Sequence, residues 1–301
     1  MMKILITGAT GFIGRNLIPQ LTKDIPKAEL LLLCRDTKKA NELFANLDVT
    51  VTQHGAEIID FNPNIVFHLA AMSSSRKDSE IIRPLIESNI LYGVNLLETL
   101  SHCNNLRLFV NTGSFAEYRL GCKKIDNAYL YSTTKTAFRA FLDYYSKLGG
   151  YKYITAVPYS VYGGVPTVKR IMDYMMESMD ASHPVDMTPG EQLLDFIHVG
   201  DVASFYCHVA RHIDTYLALE QGEEFHLGTG IGTSLRQVAY LIERTSGYRL
   251  NIHWGGRPYR ERDTMYAVAP IARNMELTGW KASIDLENGI KMFLDHYGAN
   301  S

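Results

Sequence analysis

Apolar and polar positions follow two alternating rhythms along the chain. Short continuous apolar runs, KILITG at the start and then ELLLLCR, VTVTQ, NIVFHLA, LRLFVNTG and YITAVPYSVYG, are one. Between them lie stretches with helical spacing, RNLIPQLTKD, KKANELFANL, ILYGVNLLETLSHC and AFRAFLDYYSKLGG. Short apolar runs without alternation fit strands covered on both faces, and strands separated by helices need crossover connections. The pattern predicts a doubly wound parallel α/β sheet, with ligands at the carboxyl ends of its strands. Pro19 falls inside the first helical stretch and predicts a kink or a weak turn there.

After about residue 158 the rhythm changes. The Met-rich helical stretch VKRIMDYMMESM is followed by turn-forming residues 183–190, and LDFIHVGDVASFYCHVARHI then resumes a strand–helix order. The remainder carries shorter elements: EFHLGTG, LRQVAYLIERTSG, LNIHW and ENGIKMFLDHY. These read as a smaller lobe closing over the sheet edge, with no repeats and no flexible linker.

Composition narrows the partners. With 46% hydrophobic residues in 301, a large core is available. A formal net charge of −2 and a pI near 6.6 give no electrostatic case for nucleic acid or an acidic membrane, so a small-molecule partner is expected. No apolar run approaches the ~18 residues that span a bilayer. Cys34, Cys103, Cys122 and Cys207 form no CxxC pair, which predicts reduced thiols, mostly small hydrophobes in or near the core, in a cytoplasmic protein.

Three places carry candidate chemistry. In GATGFIG, Gly8, Gly11 and Gly14 follow the apolar run Ile4-Leu5-Ile6 and open a helical stretch, a pattern that lets a phosphate sit on backbone N–H groups at a helix N-terminus. The second strand ends in Cys34-Arg35-Asp36. Arg35 there suits the 2′-phosphate of NADP, whereas Asp36 would suit the ribose hydroxyls of NAD; with Cys34 at the counted carboxylate position, NADP is favoured and NAD is the alternative. Tyr131 and Lys135, four apart, share a helix face, where the cation is expected to lower the phenol pKa and make Tyr131 a general acid or base. Such a pair arises roughly once by chance in a chain this rich in tyrosine, so its position just after the fifth strand is what counts.

Together these motifs resemble the extended short-chain dehydrogenase/reductase family, the NAD-dependent epimerases and dehydratases with a Rossmann fold. GATGFIG resembles the cofactor turn, NIVFHLAA the fourth strand, SNILYGVNLLETL the following helix and YSTTK the catalytic motif. SVYGG, GEQLLDFIHVGDVA and LTGWK resemble later family motifs. The pieces NTGSF, GTGIGTSL and RDTMYAVA further resemble the subgroup of nucleotide-sugar 4-ketoreductases of the CDP-abequose synthase type.

The resemblance implies a catalytic set of Thr112, Tyr131 and Lys135: Tyr131 passes the proton, Lys135 holds the nicotinamide ribose, and Thr112 hydrogen-bonds the substrate oxygen. For cofactor binding it implies Gly8, Thr10, Gly11, Phe12, Ile13, Gly14, Arg35, Leu69, Ala70, Ala71, Asn89, Pro158, Ser160 and Val161, with Tyr131 and Lys135. For the substrate it implies Met72, Ser73, Gly113, Ser114 and Arg262. It also divides the chain into a dinucleotide-binding domain, residues 1–163 with 191–215, and a substrate-binding lobe, residues 164–190 and 216–301.

Sugar 4,6-dehydratases of the family carry Thr-Asp-Glu at the fifth strand end. Thr112-Gly113-Ser114 lacks that carboxylate pair, which leaves NADPH-dependent reduction of a nucleotide-linked 4-keto-6-deoxyhexose or, as the alternative, NAD-dependent 4-epimerisation. A rival of another class is a dinucleotide-sensing regulator without turnover. Two departures stand out: Leu194 replaces the family's arginine before D-F-I-H-V, and no arginine precedes SVYGG. Arg257, Arg260 and Arg262 are the expected replacements. No metal is expected, since His208 and His212 share a helix face without an evident third ligand; His68 and His198 read as structural. A homodimer through the helices around 86–101 and 131–147 is what the family resemblance implies.

Overall fold

The computed structural model describes residues 1–164 and 168–298; residues 165–167 and 299–301, which the expected smaller lobe includes, lie outside the described residues. The chain begins with β1 (Lys3–Thr7), α1 (Phe12–Asp24), β2 (Glu29–Leu33), α2 (Thr37–Leu43), β3 (Thr50–Thr52), α3 (Gly55–Phe61) and β4 (Ile65–His68). Next, α4 (Ile82–Ile86), a π-helical turn (Glu87–Leu91) and α5 (Tyr92–Leu100) run end to end. β5 (Leu108–Thr112), α6 (Leu130–Gly149), β6 (Lys152–Pro158), β7 (Ser160–Tyr162), α7 (Ile171–Glu177) and β8 (Val185–Met187) follow. Then come β9 (Leu193–His198), α8 (Val199–Arg211), α9 (Ile213–Leu217), β10 (Glu224–Leu227), β11 (Gly232–Ser234) and α10 (Leu235–Ser246). β12 (Ile252–Trp254), β13 (Tyr266–Ala267), α11 (Ala272–Thr278) and α12 (Leu286–Gly298) complete the order.

The main sheet has seven strands in the order β10-β6-β5-β4-β1-β2-β3, every neighbouring pair parallel. Period-2 alternation explains why its strands read as unbroken apolar runs. Ile4, Ile6, Phe67, Leu108 and Val110 face a cluster with Leu17 and Ile18 of α1 and Val202 and Phe205 of α8. The intervening Leu5, Val66 and Phe109 face Leu96 and Leu97 of α5 and Phe138 and Leu142 of α6. Chain order reverses between β1 and β4, which opens a crevice at their carboxyl ends.

Two expectations shift. The helix α1 continues through Pro19, because that residue is exposed and the carbonyl it leaves without an N–H partner can meet water. And β10, from a stretch assigned to the smaller lobe, pairs with β6 at the edge of the main sheet; its Phe225 and Leu227 belong to the core shared with α8.

Beyond the sheet, β9 pairs with β7, β11 and β13, and β8 pairs with β12. Met172, Met175 and Met176 pack there against Val238, Ile242, Ile290 and Phe293, so the methionines are core. All four cysteines are free, Cys34 and Cys207 buried and the other two partly so. Among the described residues no helix is long and apolar enough to cross a membrane.

Candidate active site

The glycine turn sits where the crevice opens. Gly8 adopts φ +71°, and a Cβ on it would meet the Ala70 backbone N at 2.6 Å, so the turn packs directly on the chain leaving β4. Gly11 is the N-cap of α1 and supplies no capping side chain; a Cβ there would meet only the Gly8 carbonyl, at 3.1 Å. With no side chain capping the first turn of α1, its N–H groups are a fit for a dinucleotide pyrophosphate. Thr7 braces this floor, its Oγ1 lying 2.9 Å from His68 Nδ1 and accepting the Ala70 N–H at 3.2 Å. Burial, then the Lys135 charge, push the His68 pKa down to about 3, so it stays a neutral strut.

Asn89 lies on the π-helical turn, fully enclosed. Its Oδ1 accepts the Met72 N–H at 2.7 Å, and its Nδ2 donates to the Met72 carbonyl and to Thr134 Oγ1, both at 2.9 Å. Expected as a cofactor contact, Asn89 has its side chain engaged in tying the 69–73 segment to α6. At the end of β2 the Asp36 side chain accepts the Lys39 N–H at 2.9 Å as the N-cap of α2, while Arg35 is exposed and makes no ion pair among the described residues.

A cavity of about 390 Å³ lies between the main sheet's carboxyl end and the smaller assembly. Of the expected cofactor residues Phe12, Ile13, Pro158, Ser160 and Val161 line it; of the expected substrate residues Ser73, Gly113 and Ser114 do, facing Tyr131. Thr112 does not. Its hydroxyl lies 2.7 Å from Tyr206 OH of α8, because it shares a strand face with Leu108 and Val110. The strand ends there, and the chain turns into a 3₁₀ turn (Phe115–Glu117) capped by Ser114, which brings Ser114 rather than Thr112 to the cavity.

Tyr131 stands in the first turn of α6, with Lys135 one turn behind it and buried. Burial and then Glu117 raise the Tyr131 pKa to about 12, against a hydrogen bond from Ser114 and the Arg170 charge. The expected lowering of the phenol pKa by the lysine is thus overturned: burial dominates. Lys135 itself is lowered to about 8, by burial first, with Glu117 supporting its charge and Arg139 opposing it.

Glu117, fully buried, ties the two halves together. It accepts the Ser114 N–H at 2.9 Å, the Thr136 hydroxyl at 2.9 Å and Arg139 Nη2 at 3.0 Å, and Arg139 also pairs with Glu224. Burial opposes the Arg139 charge, but the two carboxylates outweigh it and raise its pKa. The sequence carried a signal for this, the S-x-x-E capping box Ser114-Phe-Ala-Glu117.

The expected late arginines are elsewhere. Arg262 does not line the cavity, because its guanidinium donates to the Asn127 carbonyl at 2.8 Å and pairs with Asp126. Arg260 lies over the Tyr129 ring, 5.8 Å away. Leu194 lines the wall, as does Arg170, a residue that no motif singled out. His208 and His212 rings lie 4.4 Å apart, but His208 Nδ1 is 2.9 Å from Tyr216 OH, and no group of three metal-ligating side chains occurs among the described residues.

A Rossmann sheet with a glycine turn at its switch point and a Ser–Tyr–Lys cluster beside it defines an NAD(P)-dependent enzyme of the short-chain dehydrogenase/reductase class. The chain belongs to the NAD dependent epimerase/dehydratase family, whose model matches residues 4–228. It is 25% identical over 305 residues to a CDP-abequose synthase of Salmonella typhimurium, covering 97% of each chain. It is also 25% identical over 313 residues to a putative UDP-glucose 4-epimerase of Methanocaldococcus jannaschii, covering 96% of each. Among solved structures it resembles the UDP-glucose-4-epimerase of Stenotrophomonas maltophila with bound NAD and formylated UDP-arabinopyranose, with TM-score 0.84, 20% identity and full coverage of both chains.

Proposed function

We propose that the protein reduces a nucleotide-linked 4-keto-6-deoxyhexose with NADPH. The observation that carries the cofactor half is the end of β2: Asp36 is engaged in capping α2, which leaves exposed Arg35 to meet a 2′-phosphate. The relatives named CDP-abequose synthase support the substrate half.

The dinucleotide, when bound, supplies the hydride. Ser114 and Tyr131 face the cavity together and are positioned to donate to the ketone oxygen, with Tyr131 giving up its proton as the alkoxide forms. A phenol held high in pKa enters that step protonated. Lys135 places a positive charge one turn behind the tyrosine, where it would hold the nicotinamide ribose. The chain holds no carboxylate pair beside Ser114, since Phe115 and Ala116 follow it, which disfavours dehydration.

In this reading the main-sheet domain holds the dinucleotide and the smaller lobe the sugar nucleotide. The helix faces bearing exposed Ile82, Ile86 and Leu91 and exposed Phe141, Tyr144 and Leu148 form the contact of a homodimer. The free cysteines suit the cytoplasm.

The test is to identify the dinucleotide that co-purifies and to titrate apo-protein with NADPH and NADH. Selective, exchangeable NADPH binding with turnover of a 4-keto sugar nucleotide supports the reading. Tightly retained NAD with interconversion of C4 epimers replaces it by a 4-epimerase, and binding without any turnover replaces it by a dinucleotide sensor.

A further inference from the structure

The cavity wall is largely apolar, yet it holds one guanidinium. Arg170 precedes α7, and its guanidinium carbon lies 3.5 Å from the centre of the Phe12 ring at the start of α1. This stacking fixes the planar group, whose charge burial opposes and the neighbouring Asp173 carboxylate supports. Its Nη1 is buried and has no hydrogen-bond partner among the described residues. A buried donor left in that state is costly, which points to a partner that arrives with a ligand.

Arg170 is also the only lysine or arginine among the described residues lining the cavity. Leu194, which lines the same cavity, brings no charge, and Arg262 is held by Asp126 and Asn127. A sugar nucleotide brings a diphosphate with two negative charges. Placing it among Phe196, Leu194 and Phe115 without a cation would be strongly unfavourable. The hydroxyls of Ser73 and Ser160 can donate to such a group but cannot neutralise it.

We infer that Arg170 is the diphosphate-binding residue of this site. The assignment rests on the sugar-nucleotide reading above. Its chemistry, a guanidinium on a diphosphate ester, also fits the pyrophosphate of the dinucleotide, since Phe12 opens the helix behind the glycine turn. The substrate is favoured because Arg170 lines the cavity together with Ser114 and Tyr131, whereas Gly8, Gly11 and Gly14 do not line it. Arg170 also lies close enough to Tyr131 to act on its charge, which places the diphosphate end near the reacting sugar.

The experiment is calorimetric titration of the wild-type protein, Arg170→Met and Arg170→Lys with CDP, UDP, GDP and dTDP, with the corresponding nucleosides, and with NADPH. Arg170→Met should bind the preferred nucleoside diphosphate on the order of 10–100-fold more weakly, with little change for the nucleoside or for NADPH. Arg170→Lys should recover part of that loss, because it restores the charge without the planar fork. Retained NADPH binding serves as the folding control.

If Arg170→Met keeps wild-type affinity for the diphosphate, the assignment is overturned while the sugar-nucleotide reading stands. If NADPH affinity falls and diphosphate affinity does not, the guanidinium belongs to the cofactor's pyrophosphate, which also overturns it. A wild-type protein that binds none of the four diphosphates overturns the sugar-nucleotide reading itself and this assignment with it.

Discussion

Asn89 grips the backbone of Met72 from both sides, accepting its N–H at 2.7 Å and donating to its carbonyl at 2.9 Å. Its remaining amide hydrogen reaches Thr134 on α6, so one buried side chain sets the distance between the 69–73 segment and the helix that carries Tyr131. Replacing Asn89 with Leu leaves these polar groups without partners, at a cost of about 1–3 kcal/mol in stability. Urea denaturation should show that loss, and the dinucleotide affinity should fall with it. An unchanged affinity would show that the segment holds its shape without this clamp.

The positions of Ser114 and Thr112 separate two roles that the sequence alone merges. Ser114→Ala should lower kcat by about 10–100-fold while dinucleotide binding persists, because it removes a donor aimed at the reacting oxygen. Thr112→Val should lower stability through its lost contact with Tyr206 and leave kcat close to wild type. The reverse pattern in steady-state kinetics would restore Thr112 to the site. Tyr131→Phe should bind NADPH normally and lose about 10²–10⁴-fold in turnover.

Titration of Lys135 should appear in the pH profile. Its free-enzyme pKa, about 8, predicts that kcat/KM for ketone reduction falls on the alkaline side as that charge is lost, well before Tyr131, at about 12, gives up its proton. The stability effect has the opposite sign. Between pH 8 and the ordinary lysine value of 10.5 the unfolded chain binds more protons, so Lys135 makes stability rise with pH across that window. Tyr131, raised from 10 to about 12, makes stability fall as pH climbs through that later range. A kcat/KM profile flat to pH 10 would remove Lys135 from the mechanism.

Arg35 should act on one phosphate. Arg35→Ser is expected to weaken NADPH binding by about 10–100-fold and to leave NADH binding nearly unchanged, as measured by fluorescence titration. Equal effects on both would move the 2′-phosphate contact elsewhere.

Sedimentation velocity tests the proposed dimer face. Phe141→Glu combined with Leu148→Glu should give a monomer, since both side chains are exposed on α6 in the single chain. An unchanged dimer would place the contact on another surface.

The strands and the glycine turn were legible because each depends on local pattern: burial on both faces makes β1, β4 and β5 unbroken apolar runs, and the turn needs glycines close in sequence. That β5 ends at Thr112 was legible, but which hydroxyl beyond that end meets the cavity was not. Thr112 and Ser114 are both hydroxyl residues two apart, and only the last ladder bonds and the capped turn after them decide which reaches the cavity. Arg170 was hidden because its neighbour Phe12 is far away in sequence, and Arg262 misled because nothing local announces its pairing with Asp126.

Glu117 binds the Ser114 turn with one oxygen and the Thr136 hydroxyl of the tyrosine helix with the other. Ser114 and Tyr131, the side chains proposed to handle the proton, are therefore tied through one carboxylate, even though one follows a strand end and the other stands on a helix. Leu194, Phe196 and Met172, which line the same cavity, take no part in those two bonds. Divergence toward a different sugar can thus proceed on one side of the cavity, while the chemistry on the other side is inherited intact.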